Sequence, residues 1–423
     1  MNSILDIIFL RRNNFKNISA SIKDLSAHKK VDRIFKAIKL NSTSGEIRYV
    51  GGCIRKILNN EVVDDIDLAT NLEPQEVCEI LKNNNIKFYE SGIEHGTITA
   101  MIDNFKFEIT TLREDVETDG RHAKIKFSKD WKKDASRRDF TINSIYSDDA
   151  GNLFDPFNGK KDLENGYIKF IGEPDKRIKE DYLRILRYLR FYSNYSKHHH
   201  DTDVIKKIKI NIGGISKLSK ERLFDELKKI TNIKTLEKLS KDKTSSEIFL
   251  MIFPEIKNLD FFSKLKPHSY NLAREFDFIF LLMLMILDNS DNADYFLYKF
   301  NISNKDKKRI KILDNFYREN SSKKITLNDL NKIFYFSGKQ AVIDILNYKI
   351  FKSKKLDLKL KEFKDHFINK IIPIMPIKAD LLMSKYKISK GKILGDKIKS
   401  IEEKWVENNF NISDQEVENI LKN

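Results

Sequence analysis

YVGGCIRKIL (Tyr49–Leu58), followed shortly by VDDIDLAT (Val63–Thr70), is the stretch from which the rest of the chain is read. It predicts a strand over Glu46–Val50, a Gly-Gly turn, a helix from Cys53, and an extended segment over Val63–Leu68. Alternate side chains of a strand share a face, so Asp65 and Asp67 point the same way with Ile66 buried behind them. Two carboxylates that close repel each other unless a cation lies between them, and oxygen-only ligands suit Mg²⁺. A cation there can bridge a triphosphate and lower the pKa of an attacking hydroxyl. The Gly51-Gly52 turn brings backbone N–H groups to a phosphate with no Cβ in the way, and Arg55, one turn into the helix, reaches the same anion. No Gly-Lys-Ser/Thr ending follows, so the turn is not a Walker loop.

Outward from this stretch the pattern alternates helix and strand. A helix is predicted over Val31–Leu40 and another over Pro74–Asn83. Thr97–Ile102 and Phe105–Thr110 alternate like hairpin arms about Asp103-Asn104. Glu108, on the second arm, is a candidate third carboxylate beside the acidic pair, and a plain surface glutamate is the alternative. Strands mixed with helices over this region predict an α+β or α/β domain. Beyond Gly172 the period turns helical and stays so, and no internal repeat is evident. The triplet His198–His200 reads as a solvated polar loop, lacking nearby Cys or Asp ligands.

With 423 residues, 40% hydrophobic and 33% charged, the chain is globular in composition rather than a disordered tail. Its 78 Lys+Arg against 62 Asp+Glu leave +16, a field that favours polyanions, although a Lys-, Asn- and Ile-rich genome gives the same balance. Cys53 and Cys78 form neither a disulfide framework nor a zinc signature, which points to a reducing, cytoplasmic compartment. The longest apolar run, between Phe278 and Asp288, is too short to span a bilayer and reads as a buried helix. The start lacks signal-peptide order, and its few acids leave a transit peptide as the lesser alternative.

Six motifs then occur in order: GGCIR, DDIDLAT, RRDFTINSIY (Arg137–Tyr146), DPFNGKKDL (Asp155–Leu163), EDYLRILRYLRF (Glu180–Phe191) and SKERLFDEL (Ser219–Leu227). Over residues 31–230 the chain resembles the class II tRNA nucleotidyltransferases and bacterial poly(A) polymerases, with a weaker echo in KADLLMSKYKISKGKILGDKIKSIEEKW near the end. The resemblance implies an α+β fold: a nucleotidyltransferase head with a mixed sheet, then an all-helical neck, body and tail. It divides the chain into an extension (1–30), head (31–172), neck (173–235) and body with tail (236–423). It implies that Asp65 and Asp67 bind catalytic Mg²⁺, that Gly52 and Arg55 contact nucleotide phosphates and that Arg138 contacts nucleotide. Asp139 and Asn143 would organise the sugar pocket, and Asp181, Arg184, Arg187 and Arg190 would line the nucleotide-selecting neck. Lys56 and Ser144 depart from the family's usual Asp and Ala, and Gly120–Trp131 is similar to the family's flexible loop.

The selecting motif also has a chemistry of its own. Its charges recur every three residues, which predicts that Asp181 and Arg184 are neighbours on one helix. An ionised carboxylate only accepts hydrogen bonds and a guanidinium only donates them. C and A offer an amino group beside an unprotonated ring nitrogen and match that pair; U and G do not, and their mismatched groups would be left unsatisfied. With this selectivity, the resemblance implies CCA addition to the tRNA 3′ end from CTP and ATP, with no membrane or protein partner implied. Poly(A) synthesis, partial CC or A addition, and a non-catalytic tRNA-binding protein are the competing readings.

Overall fold

The computed structural model describes residues 18–117, 124–320, 324–353, 355 and 357–422. The chain divides into two compact units, residues 1–226 and 227–423, and the divide falls inside one helix, Lys220–Ile230.

In the first unit, helices α1 (Ile18–Lys29) and α2 (Asp32–Asn41) precede β1 (Ile47–Val50), α3 (Gly52–Leu58), β2 (Asp67–Thr70) and α4 (Pro74–Asn83). Then come β3 (Lys87–Gly92), β4 (Thr97–Ile102), β5 (Phe105–Thr111), β6 (Arg113–Glu117), β7 (Lys124–Phe127), α5 (Trp131–Ser136), β8 (Tyr146–Ser147) and β9 (Leu153–Phe154). Local signals account for several boundaries. Helix α4 opens with a reciprocal capping box between Glu73 and Glu76, with Pro74 at its first position. The β4–β5 hairpin turns at Asp103, whose φ of 52° lies in the left-handed region that Asp tolerates.

Seven strands form one mixed sheet in the order β3-β4-β5-β2-β1-β8-β9. Only the central β2–β5 pair is parallel; the others are antiparallel. Ile98, Ala100, Ile102, Phe107 and Ile109 alternate onto one buried face, as period-two patterning requires. The opposite face is covered near α5 by a cluster of Val50, Ala69, Leu112, Trp131, Ala135 and Tyr146. Asp67 lies two residues before Ala69 and so shares that face. Of the loop-like segment Gly120–Trp131, the part before Lys124 lies outside the described residues, and Lys124–Phe127 pairs with β6.

After β9 the unit is helical: α6 (Gly159–Asn165), α7 (Pro174–Glu180), α8 (Leu183–Tyr195), α9 (Thr202–Asn211) and α10 (Lys220–Ile230). The second unit holds helices and no strand among its described residues. The apolar run forms the helix Phe278–Ile286, buried from Phe280 to Ile286. No helix of the described residues is long and apolar enough to cross a membrane.

Candidate active site

The site begins at the turn between β1 and α3. Gly51 has φ +70°, where a side chain would be strained, and an added Cβ would stand 3.3 Å from a terminal nitrogen of Arg138. Its own N–H is already donated to the Ile145 carbonyl at 3.2 Å. The phosphate cradle expected from both glycines is thus reduced to the first amides of α3, which have no acceptor within the helix. Lys56, a departure from the family pattern, forms an ion pair with Asp64, and the Ser144 hydroxyl donates to the Thr141 carbonyl at 2.8 Å.

The charges of Asp65 and Glu108 both act on Asp67, but Asp65 does not share its strand as the spacing predicts. The strand starts at Asp67, so Asp65 sits in the preceding loop; Ile66 between them is 3% exposed. Glu108 is the register partner of Asp67 across the parallel β2–β5 ladder, so both carboxylates rise from one face. Burial, followed by the charges of Asp65 and Glu108, pushes the Asp67 carboxyl up to about 6, against the opposing pull of Arg138 and Arg55. The buried Cys53 thiol beneath is pushed up to about 12, first by burial and then by Asp67. Among the described residues no three His, Cys, Asp or Glu side chains close into a metal cage. A cation here would rest on two carboxylates and complete its shell from substrate and water, the usual habit of Mg²⁺.

Arg138 lies over this turn. Its Nε donates to the Tyr146 hydroxyl at 3.0 Å and one terminal nitrogen reaches Asp134 at 3.3 Å, while its backbone carbonyl accepts from Arg177. Asp134, 1% exposed, also accepts from Tyr146 (2.6 Å) and Arg137 (2.9 Å). Burial alone would raise its pKa, yet Arg138 and Arg137 hold it down to about 2. Arg55, 6% exposed, is packed over the rings of Phe191 and Tyr195 and donates to Asn143 and to the Tyr195 hydroxyl.

The neck residues complete the wall. Asp139 accepts from Arg187 (2.6 Å) and Asn143 (2.9 Å); despite burial, Arg187 holds its carboxyl well below the usual range. Asn143 thereby links Asp139 to Arg55. Arg190 pairs with Glu226 at 2.5 Å, and Glu226 is 1% exposed. Removing one partner of a buried pair leaves an uncompensated charge, so Glu226→Ala should destabilise the fold by about 3–5 kcal/mol. Denaturant titration monitored by circular dichroism checks this; an unchanged midpoint would contradict the pairing.

Asp181 and Arg184 do not share one helix as expected, although the Arg184 N–H donates to the Asp181 carbonyl at 3.0 Å. Asp181 follows α7 with an extended backbone (φ −154°, ψ 105°), and α8 starts only at Leu183. One carboxylate oxygen of Asp181 accepts the Leu183 N–H at 3.2 Å and the other accepts from Arg222 at 2.8 Å. Arg184 instead donates to Glu180 (2.7 Å) and to the Arg177 carbonyl (2.8 Å). The reason is local: the Asp181 carboxylate turns back onto the Leu183 N–H two residues on, and this turn stands before the helix and outside it. The triplet His198–His200 lies in a loop with His198 and His199 exposed, as read, and only His200 is half-buried. The His200 ring stacks on Tyr192 at 3.5 Å and its Nδ1 meets the Tyr188 hydroxyl, while His198 stacks on Tyr167 at 4.2 Å.

The sequence reading passed over Asp134, Tyr146, Arg222 and Glu226 as site residues. Asp134 stands four residues before Arg138, a helical ion-pair spacing that carried a usable signal. Arg222 and Glu226 lie inside the quoted SKERLFDEL, but nothing local indicates their partners 41 and 36 residues away.

Comparison with known proteins gives a consistent likeness. Residues 47–169 match the family model described as the poly A polymerase head domain. The human CCA tRNA nucleotidyltransferase 1, mitochondrial, is 47% identical over 188 residues, 44% of this chain and 43% of the human protein. The chain thus spans less than half the length of that relative. The Staphylococcus saprophyticus CCA-adding enzyme is 30% identical over 339 residues, covering 80% of this chain and 79% of that protein. In fold, the Bacillus stearothermophilus CCA-adding enzyme in complex with CTP superposes with a TM-score of 0.71 at 20% identity, over 90% of this chain and 93% of that one.

Proposed function

This chain belongs to the CCA-adding nucleotidyltransferase family, and we propose that it adds CMP twice and AMP once to the 3′ end of tRNA, from CTP and ATP, releasing pyrophosphate. The observation that carries the reading is the set of Asp65, Asp67 and Glu108 carboxylates meeting an arginine-lined wall at the Gly51 turn. Their mutual repulsion is the condition a divalent cation relieves, and hard oxygen donors suit Mg²⁺. Asp65 and Asp67 would hold it; when bound, it supplies charge at the phosphates and acidifies the attacking 3′ hydroxyl. Arg138, with Arg55 and the amide of Gly52, holds the triphosphate so that the α-phosphorus lies in line with that hydroxyl. Asp139 and Asn143, braced by Arg187, order the sugar side. Asp181 and Arg184 read the base edge, with Arg190 supporting the helix through Glu226.

We assign residues 31–172 to the catalytic head, 173–235 to the neck and 236–423 to the tRNA-holding body and tail. The compartment is read as cytoplasmic from the two unpaired cysteines, whereas the human relative's name includes "mitochondrial"; imaging a C-terminally tagged chain discriminates. The head-domain likeness is shared with poly(A) polymerases, so the product is the point to test. A tRNA transcript lacking its CCA should gain two residues with CTP alone and three with CTP and ATP together. Long A tails without C incorporation would reject the reading in favour of a poly(A) polymerase, and a stop at CC or a requirement for pre-added CC would indicate a partial enzyme.

A further inference from the structure

Arg138 carries a full charge at the Gly51 turn, and its guanidinium has five N–H donors. The Nε donor goes to the Tyr146 hydroxyl at 3.0 Å and one terminal nitrogen goes to Asp134 at 3.3 Å. The other terminal nitrogen, the one 3.3 Å from where a Gly51 Cβ would stand, makes no hydrogen bond with the described residues. One edge of the guanidinium is therefore fixed by protein and the other is left open beside the turn.

The group that fixes it is unusually constrained. The Tyr146 hydroxyl donates to Asp134 at 2.6 Å while accepting from Arg138, so the three side chains form a closed ring of hydrogen bonds. Asp134 also accepts from Arg137 and from the backbone N–H of Arg113. The Tyr146 ring is fully buried, edge-on to Trp131 at 5.4 Å, so the hydroxyl has one available direction. Asp134 comes from α5, which packs on the sheet face that carries Asp67, and Tyr146 comes from β8, a strand of that same sheet.

We propose that Asp134 and Tyr146 are positioning residues for nucleotidyl transfer: they orient the open edge of Arg138 toward the nucleotide phosphates without touching substrate themselves. The inference rests on the phosphate-binding role proposed above for Arg138. A long arginine side chain at a surface turn samples many rotamers, and ordering it at the moment of binding costs affinity. Held in advance by a buried carboxylate and a phenol, it offers its donors at no such cost. Because CTP and ATP share the triphosphate, the effect belongs equally to both.

The test uses the full-length enzyme and steady-state kinetics with CTP and ATP. Asp134→Asn should lower kcat/KM for both nucleotides by on the order of 10²-fold, the scale of a misplaced contact. Tyr146→Phe should lower it by about 3- to 10-fold, the scale of one lost hydrogen bond. In both variants KM for CTP and ATP should rise in parallel while tRNA affinity is unchanged. On an Arg138→Ala background, each change should add little, since its route of action is gone. If Asp134→Asn fails to melt cooperatively, Tyr146→Phe, which keeps the ion pair, carries the test. Full additivity with Arg138→Ala, or a Tyr146→Phe enzyme with wild-type kinetics, would overturn the positioning role. An Arg138→Ala enzyme with normal kinetics would refute the phosphate role itself, a separate failure.

Discussion

Asp67→Ala is expected to reduce transfer from CTP and ATP alike by on the order of 10³-fold, the effect of removing several kcal/mol of charge stabilisation at the transferred phosphate. Binding of tRNA should be unchanged, because the carboxylate faces the β2–β5 ladder and the arginine wall. A loss of activity alone would not separate a metal role from a damaged fold. The electrostatics of the site supply the separation. Asp67 is pushed up by burial and by two neighbouring acids, so its ionised form is a source of strain in metal-free protein. Removing the charge should therefore raise the melting temperature of the metal-free enzyme in chelator while transfer is lost. With Mg²⁺ added, the wild type should recover the difference and the variant should not. A variant that melts lower than wild type in chelator, or that loses one nucleotide only, would contradict the shared role.

The parts of this architecture that were legible in the sequence are those whose causes are local. The α4 helix was read to its observed bounds because Glu73, Pro74 and Glu76 write its start within four residues. The β4–β5 hairpin was legible from alternation about Asp103 and Asn104. The acidic pair and its glycine turn also lie within one short stretch. What could not be read is the pairing of charges across distance. Arg55 meets Tyr195 140 residues later, and Arg187 meets Asp139 across 48. Spacing by three predicted that Asp181 and Arg184 share a helix, but the helical period says nothing about where a chain breaks and restarts. Asp181 breaks it, one carboxylate oxygen accepting the Leu183 N–H ahead of α8 and the other accepting from Arg222. The six ordered motifs marked these residues as important; only the fold shows which carboxylate answers which arginine.

That rearranged pairing sharpens the expectation for Arg184→Ala. Asp181 and Arg184 do not neutralise each other, so each keeps hydrogen-bonding capacity for a base. Asp181 spends one lone pair of each oxygen on Leu183 and Arg222, and each oxygen retains another. Arg184 spends one terminal nitrogen on Glu180 and the Arg177 carbonyl, leaving its Nε and other terminal nitrogen for a ring nitrogen of C or A. Partners on both residues fix their orientation before the nucleotide arrives, which is what lets a wrong edge be rejected rather than accommodated. Truncation removes the donor, and with it the penalty for a ring N–H presented by U or G. Discrimination of CTP against UTP, taken as the ratio of kcat/KM, should fall by on the order of 10²-fold, a part of the range available to hydrogen-bonded selection. Affinity for the triphosphate should suffer less, because that end falls to Arg138 and Arg55 in the proposed function. Glu180→Gln, which weakens the charge that anchors Arg184, should shift discrimination in the same direction by a smaller factor. Competition between CTP and UTP on a tRNA lacking CCA measures both. Unchanged selection in Arg184→Ala, with only weaker triphosphate binding, would remove this arginine from the template and return it to the phosphate wall.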